Sequence, residues 1–177
     1  MPVLSPYATA GMLRALPEDG LRHELVWGEH LVSPAPSMAH QRIVAALYRT
    51  LHNHSSQRGL GEVLFSPADI SWGEDTLVQP DVFVIAPEES GKRDWSSIRT
   101  LRLVVEVLSP STARHDRFQK RRLYQAQGVE TLWLIDPERR AVEVWTPGAA
   151  FPVVETERVT WRAGEAELVV PLSELFT

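Results

Sequence analysis

The 177-residue sequence predicts an α/β chain of the α+β mixed-sheet kind, on three observations. A stripe at helical spacing precedes three apolar strand patterns. The most apolar of these, Leu101 to Leu108, reads as a central strand. A second helical pattern then leads directly into another apolar strand at Thr131 to Ile135. The order helix, three strands, helix, strand, with β decoration at both ends, is that of a mixed sheet and not of a bundle or a sandwich.

The elements follow in order. Thr9 to Leu16 reads as a short helix stopped by Pro17, and His23–Trp27 with His30–Ser33 as a hairpin about Gly28-Glu29. The Pro-rich stretch Ser33-Pro34-Ala35-Pro36-Ser37 is a loop. Ile43, Leu47, Tyr48 and Leu51 recur at three- and four-residue spacing and predict a helix over about Met38–His54. Glu62–Ser66 and Ala68–Trp72 read as the first strand region, bent at Pro67, and Leu77–Ala86 as the second, with Pro80-Asp81 inside it. After the 101–108 strand, Pro110 is a stop, and a helix runs from Ser111 or Thr112 to Gln127 with Gly128 as its end. Thr131–Ile135 and Ala141–Thr146 form a hairpin across Glu138-Arg139-Arg140. Val153–Trp161 and Glu167–Val170 read as two more strands, and Ser173–Phe176 as a terminal turn. One domain over 1–177 is expected, with its core at about 38–146, an N-terminal helix and hairpin at 9–33, and C-terminal strands at 152–176.

Composition excludes several function classes. With no cysteine, disulfides, thiolate metal sites and a cysteine nucleophile are out. A net charge of -5 argues against a protein that coats nucleic acid through massed basic residues. The opening Met1-Pro2-Val3-Leu4-Ser5-Pro6 lacks a charged region followed by an apolar stretch, and no apolar run is long enough to span a bilayer, so a cytoplasmic protein with no membrane partner is expected.

Two acidic residues stand where acids need a reason. Asp81 lies among Val78, Val82, Phe83, Val84 and Ile85, and Glu106 interrupts Leu103-Val104-Val105-Glu106-Val107-Leu108. A buried carboxylate meets a cation or a donor, or it stays protonated. On neighbouring strands the two could converge on one hard divalent cation. Taken singly, Asp81 also reads as a backbone cap and Glu106 as half of a structural ion pair. Lys120 draws attention because only Lys92 and Lys120 of the 18 basic residues are lysine. Asp116, Lys120 and Tyr124 share one helix face at four-residue spacing, so Asp116 is read as a partner of Lys120. Arg114, Arg117, Arg121 and Arg122 on that helix read either as a solvated face or, for Arg117 and Arg121, as nucleic-acid contacts. His52-x-His54 points its two rings apart on a helix and reads as structural. Trp27, Trp72, Trp133, Trp145 and Trp161 read as core or interface.

The ordered series His23-Glu24-Leu25-Val26-Trp27-Gly28-Glu29, Ser33-Pro34-Ala35-Pro36 with His40, Gln79-Pro80-Asp81-Val82, Val104 to Thr112, Asp116 with Lys120 and Tyr124, and Gly128 to Pro137 resembles the Uma2 family of the PD-(D/E)XK nuclease superfamily. The family is also catalogued as a domain of unknown function. The resemblance runs from about Thr9 to Trp145. It implies a restriction-endonuclease-like core and a metal-dependent endonuclease acting on DNA. Asp81 and Glu106 match the superfamily's two acidic positions and, with the Val107 carbonyl, would hold Mg²⁺ or Mn²⁺. Leu108 stands where the standard motif has lysine, and Lys120 matches the helix lysine held to replace it. Glu24 matches a recurrent family glutamate and would join the catalytic group. A homodimer follows by analogy with nucleases that cut two strands. The alternatives are a non-catalytic nuclease-fold binding or assembly module, and a hydrolase of RNA or another phosphate ester.

Overall fold

The computed structural model describes residues 7–176. The segment Met1–Pro6, on which the expectation of no secretory signal rests, lies outside the described residues. A six-stranded mixed sheet has the order β3-β4-β5-β6-β7-β8. Its strands are β3 (Glu62–Phe65), β4 (Val82–Ile85), β5 (Leu101–Val107), β6 (Thr131–Asp136), β7 (Ala141–Trp145) and β8 (Val153–Glu155). Every neighbouring pair is antiparallel except β5–β6. A parallel pair needs a crossover, and residues 113–126 supply it as a helix on one face of the sheet.

Strand parity assigns the two faces. Val82, Val84, Leu103, Val105, Val107, Trp133 and Ile135 pack under α2 (Met38–Arg58) and the hairpin of β9 (Arg158–Ala163) and β10 (Ala166–Pro171). Phe83, Ile85, Val104, Leu132 and Leu134 pack under the crossover helix, with Leu123 and Tyr124. Glu106 has the parity of Val104 and therefore faces the crossover helix. Leu101 joins this second face because the β4–β5 register shifts at Val84/Ile85.

A separate hairpin, β1 (Arg22–Val26) with β2 (Glu29–Ser33), is joined through the Leu25–Leu77 backbone pair to the segment that leads into β4. Its turn is Trp27-Gly28, with both φ values positive (48° and 80°), the pattern of a two-residue hairpin. The short helix α1 is Ala10–Arg14, started by the Thr9 side chain.

Several sequence expectations shift. Helix α2 continues past His54 to Arg58, because the residue that ends it is Gly59 in the left-handed region at φ 62°. Ala68–Trp72 is not a strand: only Ile70 bridges to Val78. Leu77–Ala86 shortens to β4, so Asp81 precedes the strand instead of lying inside it. The Val153–Trp161 pattern divides into β8 and β9. The crossover helix is interrupted by a π turn at Asp116–Lys120, between α3 (Ala113–His115) and α4 (Arg121–Ala126). Trp133, Trp161 and Trp145 are buried as expected. Trp27 sits in the turn and is exposed, and Trp72 lies half-buried outside any strand.

Candidate active site

Antiparallel pairing of Val82 with Val105 sets Asp81 beside Glu106 at the end of the β4–β5 ladder. The Val107 N–H donates to Asp81 Oδ2 at 2.8 Å, tying the aspartate to the strand that carries the glutamate. Arg22 Nη1 donates to Asp81 Oδ1 at 2.9 Å, and His40 Nε2 lies 3.0 Å from Oδ2. Burial alone would raise the Asp81 pKa. The His40 hydrogen bond and the Arg22 and Lys120 charges outweigh it and hold the carboxyl below its ordinary value.

Across the sheet face, the Lys120 ammonium lies 2.7 Å from Glu106 Oε1, 2.8 Å from Glu24 Oε1 and 3.5 Å from Asp116 Oδ1. Lys120 is 2% exposed, so it is the floor of the site and not a solvated helix charge. Burial would lower its pKa, but the carboxylates of Glu106, Glu24 and Asp116 raise it well above the ordinary lysine value. The ammonium is therefore a permanent donor. Glu106 moves the other way from Asp81: burial, with the charges of Asp81, Asp116 and Glu24, raises its pKa well above the usual range despite Lys120. Burial also raises Asp116. Tyr124 Oη donates to Glu106 Oε1 at 2.5 Å, and its ring packs edge-on against Trp72. The second oxygen-side contact of Glu24 is the Gln79 N–H, which donates to Oε1 at 2.8 Å and locks the β1–β2 hairpin over the site.

Glu24, Asp81, Glu106 and Asp116 thus face Arg22 and Lys120, four carboxyls against two permanent cations. Fully ionised, the cluster carries two uncompensated negative charges, and this excess adds to burial in raising Glu106. A divalent cation would neutralise the same excess. Among the described residues, no three His, Asp or Glu side chains stand at metal-ligating spacing. Asp81 and Glu106, side by side at the end of the β4–β5 ladder, offer oxygen donors alone, the set a small hard ion takes when one or two carboxylates hold it and water completes its shell. A pocket of about 380 Å³ opens over the cluster between the Pro34–Ser37 and Ser109–Thr112 segments.

The structure brings Asp81, Glu106, Val107, Lys120 and Glu24 together, and Asp116 bonds Lys120 as its spacing suggests. Arg117 lines the pocket but is held by Asp136 (2.6 Å) and Glu143 (2.7 Å). Arg121 lies outside it, stacked 4.4 Å over the Trp145 ring. On α2, His52 stacks on Tyr48 while His54 is buried against Trp161, so the two rings do diverge.

Of two further site residues, Arg22 was not singled out in the sequence, and His40 entered only with the family series and without a role. Arg22 carried a signal, since it shares the period-two face of Glu24 on β1. His40 binds Asp81 from 41 positions away, and no local pattern encodes that contact.

The Uma2 family model, described as "Putative restriction endonuclease", matches residues 11–173. A crystal structure from Anabaena variabilis, described as a "putative nuclease belonging to DUF820", superposes with a TM-score of 0.80 at 21% identity, covering 95% of this chain and 97% of that one. That likeness shows the restriction-endonuclease-like fold. No curated protein matches the chain.

Proposed function

The chain belongs to the Uma2 family of restriction-endonuclease-like proteins, and from that premise we propose that it is a Mg²⁺- or Mn²⁺-dependent endonuclease hydrolysing DNA phosphodiester bonds within one domain over 1–177. The carrying observation is the buried Lys120 ammonium, 2.7 Å from Glu106 and on the same pocket floor as Asp81. Asp81, Glu106 and the Val107 carbonyl would hold the ion. A bound divalent ion supplies Lewis acidity at a scissile phosphate and acidifies water. Lys120 is permanently protonated, so it serves as a donor that orients the attacking water or stabilises charge on the phosphorane, and not as the general base. Arg22 and His40 hold Asp81 ionised and aimed, while Glu24 and Asp116 hold the lysine in place. Water oxygen bonds to phosphorus, one P–O ester bond breaks, and the leaving oxygen takes up a proton to become a hydroxyl.

The test is cleavage of supercoiled plasmid and circular single-stranded DNA with Mg²⁺ or Mn²⁺, comparing the parent with Asp81→Ala and Lys120→Ala. Loss of cleavage in both variants is expected, together with a Mg²⁺-dependent rise in melting temperature that Asp81→Ala lacks; saturation at about 100 Kd adds about 2.7 kcal/mol. Cleavage unchanged by both substitutions overturns the site. The second reading, a non-catalytic module, has one observation on its side: both Asp81 oxygens already accept bonds from Arg22, His40 and Val107. Failure to cut any nucleic acid, with no Mg²⁺ effect on melting, would favour it.

A further inference from the structure

The reacting groups lie deep. Glu106, Lys120 and Asp81 are 1%, 2% and 3% exposed, beneath a pocket of about 380 Å³. That volume sits at the small end of ligand pockets, which run to about 300–1,000 Å³. It has room for one nucleotide-sized group at its floor. The mouth is framed by the uncharged segments Ser33–Ser37 and Ser109–Thr112, with Pro34, Pro36 and Pro110 exposed on them.

Charge at the mouth points the same way. Among the described residues, the Arg and Lys side chains lining the pocket are Arg22, Arg117 and Lys120, and each is paired with a carboxylate of this chain. Asp136 and Glu138 add further acids to the wall. Proteins that seize duplex DNA do so by neutralising many backbone phosphates with Lys and Arg. Here the lining can engage a phosphate only at its floor. A stiff duplex would have to bend or open to bring a phosphodiester past the Ser33–Ser37 and Ser109–Thr112 rims down to Lys120, and that deformation costs free energy which a flexible single strand avoids.

We infer that the pocket takes DNA as a single strand or an unpaired strand end, one phosphodiester at a time, and discriminates against intact duplex. This rests on the nuclease reading above and adds the form of the substrate.

The experiment uses one labelled sequence of about 30 nucleotides as single strand, as blunt duplex and as duplex with an unpaired flap. Cleavage is followed with Mn²⁺, and binding is followed by fluorescence anisotropy without divalent ion and with Ca²⁺. Single strand and flap are expected to be cut and bound at least tenfold better than blunt duplex, with flap cuts confined to the unpaired part. The salt dependence of single-strand binding should be shallow, a slope of about -0.7 for each of the one or two phosphates engaged. Ala35→Trp, on the exposed rim, should narrow the mouth and weaken single-strand binding at least fivefold without changing the melting temperature. Blunt duplex cut or bound as well as single strand overturns the inference and leaves the nuclease reading standing. If nothing is cut, the nuclease reading falls, and the binding comparison and Ala35→Trp still decide what the pocket holds: equal or tighter duplex binding, or a rim substitution without effect, overturns the inference.

Discussion

Replacing Lys120 by Met removes the ammonium while keeping its approximate length, and leaves Glu106, Glu24 and Asp116 facing one another in a buried site. Deleting one partner of a buried ion pair costs about 3–5 kcal/mol. For a chain of this size each kcal/mol moves the melting temperature by about 2–4 °C, so a fall of roughly 6–20 °C is expected at pH 8. The pH dependence distinguishes this cause from lost packing. A carboxyl whose pKa is raised by folding takes up a proton on folding, so its cost is full above the folded pKa and shrinks as pH falls toward the ordinary value, 4.5 for Glu106 and 3.8 for Asp116. The Lys120→Met deficit should therefore narrow between pH 8 and about pH 5. In the parent, the raised Lys120 pKa means that its contribution is fully present below the ordinary lysine value of 10.5 and is not lost across this window. Urea denaturation at pH 5, 6.5 and 8 measures the deficit, and adding Glu106→Gln to Lys120→Met should recover part of it. A deficit under about 1 kcal/mol at pH 8, or one that grows on acidification, refutes the account of Lys120 as the counter-charge of a buried acidic cluster.

Glu106→Gln alone should abolish cleavage and cost less stability at pH 8 than Lys120→Met, because it removes one of the crowded carboxyls and keeps a hydrogen-bonding side chain of the same shape beside Lys120; retained cleavage, or a lower melting temperature than Lys120→Met, would contradict it. Gly61→Ala should destabilise strongly, since a Cβ there would sit 2.0 Å from the Ile85 carbonyl oxygen at a backbone φ of 125°. Overpacking and strain together predict a loss of about 2–5 kcal/mol, read as a lower urea midpoint; a neutral result would mean that the β3–β4 edge yields more easily than this close approach implies.

Much of the site was legible because burial makes an acid conspicuous. Glu106 stood out within the run Leu103–Leu108, whose other residues are Leu and Val, and its partner Lys120 stood out in a chain that writes all but two of its 18 Lys and Arg residues as arginine. The i, i+4 spacing of Asp116, Lys120 and Tyr124 is local and follows from helix geometry, so their shared face could be read directly. Strand boundaries were harder. Ala68–Trp72 has strand composition but only one backbone bridge, because pairing depends on a partner distant in the chain.

Sequence by itself determined which segments are apolar enough for the sheet, which helix packs back on it after the central strand, and which acids and which lysine would be expensive to bury without a purpose. Tertiary structure decided the charge states. The hairpin that carries Arg22 and Glu24, and the first turn of α2 that carries His40, arrive from distant parts of the chain to hold Asp81 ionised and to crowd Lys120 with three carboxyls. A pKa is set by burial and by every charge within a few ångströms, whatever its place in the chain, so Asp81 and Glu106 look equivalent as letters and are driven in opposite directions in the fold.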